Sequence, residues 1–467
     1  MPKKYNIKVS TVPSRFPPLG KFEIERGENC IKCGKCAISC LYGVHNRGED
    51  DPRRMAEPAD YLCKGCFRCI QECPRDALSI SRSKEYLLLG DSYWTPEIIS
   101  KNWYQAETGK IPVSGAGYPG PFSGEGFDSM WTDMSEIVRP TRDGIHGREY
   151  ISTTVDIGRK LPALTFDANG TLASPIPPTL SIPIPIIFNT LPFERYENIY
   201  EALARAVSYL GTFMMVNPDE WFNTTYRAHI VPVLTTVRED LIRTSKMAEF
   251  EYGRDVLSQV KEAKELNPRT ILSVKVPCGD QVAEIAEELT VGGVEVIHLY
   301  ADINGQTFRK SLIKSASQRS FIKDIILDVH RHLVNLGIRG EVTLIVSGGI
   351  ASAEHVAKSI ICGADVTAID LPLLIALECR YCKNHNNGSP CPIELKGIDP
   401  QWGAQRIINL IGAWRNQLLE VLGAMGLREV RRLRGEVGRA IFFEDIQKET
   451  FDKVLAEEVS EHDRYND

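Results

Sequence analysis

Between about residue 184 and residue 380, short β-branched apolar runs alternate with longer stretches in which apolar positions recur every three or four residues. The runs are Ile184–Phe188, Thr212–Val216, His229–Leu234, Thr270–Val276, Val294–Tyr300, Val342–Val346 and Asp365–Ile369. Helical spacing marks Asn198–Tyr209, Val256–Glu265, Asp280–Leu289, Phe321–Leu336 and Ala353–Ile361. Strand and helix alternating over roughly 200 residues predict parallel strands joined by crossover helices. Seven runs are visible, and Thr236–Tyr252 has room for an eighth, so a (β/α)8 barrel is favoured over an open sheet.

The pattern is different on either side of this region. Residues 86–165 are rich in turn residues, as in Ser114-Gly115-Ala116-Gly117-Tyr118-Pro119-Gly120-Pro121, and read as a connecting or covering segment. Within it, Arg139, Arg142, Asp143, His146 and Arg148 crowd around Gly144 and Gly147, either as an anion site or as a lid fixed by ordinary ion pairs. Pro175, Pro177, Pro178, Pro183, Pro185 and Pro192 then forbid a helix on the approach to the barrel. The expected organisation is a cysteine-rich module at 1–85, a covering segment at 86–180, the barrel at 181–395 and a helical extension at 396–467.

Composition narrows the class. With 467 residues, 43% hydrophobic and 25% charged, the chain is ordinary for a globular protein and too long for one core. It has no uninterrupted apolar run long enough to span a membrane, and Met1-Pro2-Lys3-Lys4-Tyr5 lacks a signal peptide's apolar stretch, so a cytoplasmic location is expected. The net charge of −6 conceals an asymmetry, because residues 1–85 carry 16 basic against 11 acidic side chains. No block of like charge suggests nucleic acid.

Cysteine accounts for that basic front end. Eight of 13 cysteines lie at Cys30, Cys33, Cys36, Cys40, Cys63, Cys66, Cys69 and Cys73, which is C-x2-C-x2-C-x3-C written twice. In such runs three thiolates hold one cubane cluster and the fourth completes the other. Cys30, Cys33, Cys36 and Cys73 would hold one [4Fe–4S] cluster, and Cys63, Cys66, Cys69 and Cys40 the second. Pro74 follows Cys73 as the pattern requires, and Leu41 stands after Cys40. Disulfides would need an oxidising compartment, and zinc sites use cysteine pairs rather than triplets. The module resembles bacterial-type ferredoxins, whose work is electron transfer. Two clusters at roughly −2 each would bring the module from +5 to about +1, the charge of a fixed relay rather than a free acidic carrier.

Three further cysteines, Cys379, Cys382 and Cys391, follow the last barrel strand. They suggest a third iron–sulfur cluster, with a zinc site completed by His385, or unligated thiols, as rivals. Cys278 and Cys362 sit in apolar settings and read as core. Lys275, near the C-terminal end of a central strand, either neutralises a reduced flavin at N1 or pairs with an inward carboxylate. Ser347-Gly348-Gly349, at the end of the seventh strand, is either a phosphate cradle or a tight turn, and Gly363-Ala364-Asp365 opens the eighth.

These residues, with Leu373-Leu374-Ile375-Ala376-Leu377 and Cys391-Pro392-Ile393, resemble the FMN-binding synthase domain of the glutamate synthase family over about residues 180–435. A ferredoxin module preceding that barrel resembles the archaeal-type branch. The resemblance implies FMN at the barrel mouth, with Lys275 catalytic and Ser347, Gly348, Gly349 and Gly363 beside the cofactor. Several positions depart from the family pattern. Val216-Asn217-Pro218-Asp219-Glu220, Thr235–Asp240 and Asp302–Thr307 replace glycine-rich loops, Asp370 replaces a glycine, and the cysteine trio has gaps of two and eight residues instead of five and four. No glutaminase domain is expected ahead of the barrel. The resulting expectation is an iron–sulfur oxidoreductase passing electrons between its clusters and FMN, acting on a small amino, imino or keto acid. The alternative is a flavin-free relay or scaffold subunit of a larger redox complex. Either one implies redox partner proteins such as a ferredoxin, a flavoprotein or another iron–sulfur subunit.

Overall fold

Eight parallel strands close the alternating region into a barrel in the computed structural model, which describes residues 5–111, 124–133, 150–161, 163–174, 176–308, 320–384 and 389–451. The strands are β1 (Ile186–Phe188), β2 (Met214–Val216), β3 (Ile230–Leu234), β4 (Met247–Glu251), β5 (Ile271–Pro277), β6 (Val296–Tyr300), β7 (Thr343–Ser347) and β8 (Val366–Ile369). The eighth run is β4, inside the stretch where the spacing left room for it. Between and after the strands run helices α1 (Glu197–Leu210), α2 (Glu239–Thr244), α3 (Val256–Leu266), α4 (Val282–Val291), α5 (Ile322–Asn335), α6 (Ala353–Cys362), α7 (Leu371–Ala376) and α8 (Pro400–Ala424). The cluster at Arg139, Arg142, Asp143, His146 and Arg148, and His385, lie outside the described residues.

Outer helices are held by their apolar faces. Ile199, Leu203, Val207 and Leu210 recur on one side of α1 and are all buried, each worth about 1.5–3 kcal/mol when removed from water. Helix α8 packs on α1. At Gly403 a Cβ would lie 3.0 Å from the Ala202 Cβ, so a larger residue there would force the two helices apart. Asp399 caps α8 by accepting from the Trp402 N–H at 2.9 Å, with Pro400 at the first position.

The chain divides into two compact units. The barrel unit comprises Met1–Val12, Lys101–Leu377 and Glu394–Asp467, and the second unit comprises Pro13–Ser100 and Glu378–Ile393. The cysteine trio therefore folds with the ferredoxin-type module, although it follows the last barrel strand in sequence. Within that second unit an antiparallel pair, Phe22–Arg26 with Leu78–Arg82, brings the two ends of the cysteine module together with Ile24 opposite Ile80. Its small core is Ile24, Val44, Cys69 and Leu78. The Glu378–Ile393 segment is tied in through Arg15, whose backbone N–H and Nε donate to Glu378 at 2.8 and 3.2 Å and whose Nη2 donates to the Ile393 carbonyl at 2.8 Å. Among the described residues no helix is long and apolar enough to cross a membrane.

Candidate metal centres and the barrel mouth

The eight N-terminal cysteines separate into two groups of four. Cys30, Cys33, Cys36 and Cys73 line one pocket, and Cys40, Cys63, Cys66 and Cys69 line another. The fourth cysteine of each run thus faces the other run's triplet, as the spacing predicts. Among the described residues no three His, Cys, Asp or Glu side chains could hold a single metal ion; the thiols ring hollows rather than meeting at a point. A cubane, with four sulfurs around four irons, fits such a ring.

Local backbone explains how two residues between cysteines bring successive thiols to one side. After Cys30, residues Lys32 and Gly34 have φ of 57° and 80°; after Cys63, Gly65 and Phe67 have 68° and 59°. This left-handed conformation turns an N–H back to the sulfur, with Lys32 N to Cys30 Sγ and Gly65 N to Cys63 Sγ both at 3.4 Å. The third group repeats the device. Tyr381 and Lys383 have φ of 47° and 61°, and Tyr381 N lies 3.4 Å from Cys379 Sγ. Lys32, Phe67, Tyr381 and Lys383 each accept a backbone that costs on the order of 1–3 kcal/mol without glycine, which ligation by a bound cluster would offset. Cys379 is buried, Cys391 intermediate and Cys382 exposed.

The barrel interior joins Ser347 to three polar residues that the sequence did not single out. Glu249, Ser273, His298 and Ser347 form a fully buried chain across β4 to β7. The Ser273 hydroxyl donates to Glu249 Oε2 at 3.0 Å, His298 Nδ1 lies 2.9 Å from the same oxygen, and His298 Nε2 lies 2.8 Å from Ser347 Oγ. Burial pushes the Glu249 carboxyl up, but the His298 ring, Lys275 and the Ser273 hydroxyl together hold it below the usual carboxylate range. Each residue is unremarkable in its own strand, and only the register brings Glu249 opposite Ser273.

Lys275 is at the C-terminal end of β5, opposite Glu251 and His298. No carboxylate among the described residues pairs with it; its ammonium lies 5.0 Å from the centre of the Tyr300 ring. It borders a cavity of about 310 Å³ lined also by Arg195, Asn217, Glu220, Arg238 and Glu251. Arg195 is paired with Glu220 and Arg238 with Asp219, whereas Lys275 makes no direct ion pair among the described residues and acts at longer range on the carboxyls of Glu249 and Asp370.

The other expected flavin contacts have different roles. Ser347 Oγ is engaged by His298, and the Gly349 N–H donates to the Ile303 carbonyl at 3.3 Å. Gly348, with φ of 102°, is glycine because a Cβ would lie 2.6 Å from the Asp302 carbonyl oxygen. The Asp302–Gly305 loop therefore closes on the site where a phosphate was expected. Gly363 is at the N-terminal end of β8, away from the mouth. A Cβ there would lie 2.5 Å from His330 Cβ, and its carbonyl accepts from Arg339 Nη2 at 2.7 Å, so its role is to cap α6. At the far end of β8, Asp370 Oδ1 accepts from the Leu371 N–H at 2.6 Å, Pro372 has no N–H, and the Leu373 N–H donates to the Asp370 carbonyl at 3.0 Å. Every donor in the first turn of α7 is absent or used. The mouth has a cation and space for a flavin ring, but these residues do not fit its phosphate.

Residues 235–428 match the model for the conserved region in glutamate synthase. An archaeal-type glutamate synthase [NADPH] of Dehalococcoides mccartyi is 26% identical over 89% of this chain and 94% of its own length. The pyruvate synthase subunit PorD of Methanocaldococcus jannaschii is 38% identical over 12% of the chain and 64% of its own length. Among solved structures, a mandelate oxidase variant with a monooxide FMN adduct aligns with a TM-score of 0.44 and 14% identity, covering 76% of this chain and 94% of that one. The barrel thus carries the conserved region in glutamate synthase, and the chain resembles archaeal-type glutamate synthases along most of its length.

Proposed function

We propose that the chain is the iron–sulfur electron-transfer component of a glutamate synthase-like oxidoreductase. The observation that carries this reading is the sorting of eight cysteines into two pockets of four, each completed by the other run's last cysteine. Bound there, [4Fe–4S] clusters supply one-electron storage at low potential. The chain's residues contribute the thiolates, the N–H groups of Lys32, Gly65 and Ala77 that donate to cysteine sulfur, and the core at Ile24, Val44 and Leu78 that excludes water. Cys379, Cys382 and Cys391, with the same turn, form a third iron–sulfur site. Relatives named glutamate synthase [NADPH] support chemistry on a small amino, imino or keto acid for the complex the chain serves. A flavoprotein, ferredoxin or further iron–sulfur subunit exchanges electrons with it.

A second reading, FMN chemistry at the barrel mouth, is favoured by Lys275 and the 310 Å³ cavity beside it. The closed first turn of α7 favours the flavin-free relay. The cluster reading is tested by iron and acid-labile sulfide analysis of anaerobically purified protein. Cys66→Ala should remove about four irons and loosen the remaining cluster, since the runs share ligands. Zinc without sulfide would sink it.

A further inference from the structure

We propose that Arg26 holds the cluster of Cys30, Cys33, Cys36 and Cys73 at a higher reduction potential than its neighbour, so that an electron entering the module rests there. This rests on the two-cluster reading above. Arg26 ends the strand Phe22–Arg26 and lines the pocket of those four cysteines. Its Nη1 donates to the carbonyls of Met55 and Ala56 at 3.4 and 3.1 Å, which fixes the guanidinium plane. Its Nε and Nη2 are buried and have no acceptor among the described residues. A buried donor without a partner is costly, and more so when it is charged. Two on one rigid fork call for an anionic acceptor in that pocket, and the thiolates and sulfides of a cluster are the acceptors the cysteines would bring. Such bonds strengthen when the cluster gains an electron, so they raise its potential.

The second pocket is built differently. Its lining includes His45, a buried ring whose two nitrogens have no partner among the described residues. Burial and the nearby Arg26 charge both favour its neutral form, and a neutral ring donates a weaker bond than a guanidinium. The remaining lining cations, Lys32, Lys35 and Arg75 on one pocket and Lys64 and Arg68 on the other, are exposed and screened by salt.

The test is an EPR-monitored dithionite titration of the anaerobic full-length protein, with iron and sulfide counted beforehand. Wild type should show two one-electron steps whose electron partition differs at least tenfold, about 59 mV. Cys33→Ala identifies the first cluster's step by deleting it, and that step should be the higher one. Arg26→Gln should lower that step by at least a tenfold change in partition and leave the other in place, while Arg26→Lys, a charge without the fork, should recover part of the shift. If Arg26→Gln fails to hold the wild-type iron, Arg26→Lys decides: a partial downward shift supports the proposal and unmoved steps overturn it. Full iron with neither step moved, or with only the lower one moved, also overturns it. Too little iron in wild type sinks the cluster reading itself.

Discussion

Asp370→Gly should tighten FMN binding at the barrel mouth. Asp370 places a carboxylate on the Leu371 N–H at 2.6 Å, at the position the bound phosphate of an FMN barrel would occupy. Two like charges about 4 Å apart repel by about 1 kcal/mol in water and about 4 kcal/mol near a protein surface. The freed N–H would add about 1.5–3 kcal/mol as a bond to a charged acceptor. Allowing for relaxation of the loop, the substitution should tighten FMN by about 2–4 kcal/mol, between one and three powers of ten. Pro372→Ala, which restores a second donor, should add roughly another power of ten. Equilibrium dialysis of the iron-loaded protein against FMN, with fluorescence readout, measures this directly, and riboflavin, which lacks the phosphate, is the control. Wild type should not saturate below about 1 mM, and the gain in the variants should appear with FMN and not with riboflavin. Stoichiometric wild-type binding tighter than about 10 μM, or a gain shared equally by riboflavin, would refute the reasoning and return the barrel to the FMN reading.

Two further outcomes follow from the same geometry. Replacing Cys379, Cys382 and Cys391 with Ser should lower iron by three or four atoms while leaving the eight of the ferredoxin-type runs, read by iron analysis and EPR; unchanged iron would leave these thiols without a metal role. His298→Leu should destabilise the barrel by about 3–5 kcal/mol in chemical denaturation, because it strands the buried Glu249 carboxylate, whereas His298→Gln should cost less. Since the folded Glu249 carboxyl titrates below its ordinary value of 4.5, its contribution is complete above about pH 4.5 and is lost as pH falls further; Glu249→Gln should remove that part of the acid limb, and an unchanged limb would count against the pair.

The sequence revealed those features in which a local pattern and a tertiary role coincide. Most barrel strands are largely apolar runs because both their faces are buried, and the outer helices show an apolar face, so the (β/α)8 architecture was legible down to the gap that holds β4, whose two glutamates hide it. The two groups of four cysteines were legible because two-residue spacings bring successive thiols to one side of a turn. What stayed hidden depends on register and loop closure. Glu249, His298 and Ser347 are 49 residues apart at each step of their chain and meet only because parallel strands place them at matching heights. Arg26 is one basic residue among many until the strand carrying it is paired with Leu78–Arg82, which brings its guanidinium to the first cysteine pocket. Gly348 and Gly349 show the reverse case. A double glycine at a strand end predicts a backbone that approaches something closely, and it does so here; but what it approaches is the chain's own Asp302–Gly305 loop rather than a phosphate. A glycine pattern records the need for close approach without recording the partner. That is why the carboxylate at position 370 and the missing N–H at position 372, two plain departures from a donor-rich turn, bear more weight for the barrel's chemistry than the glycines that match the family.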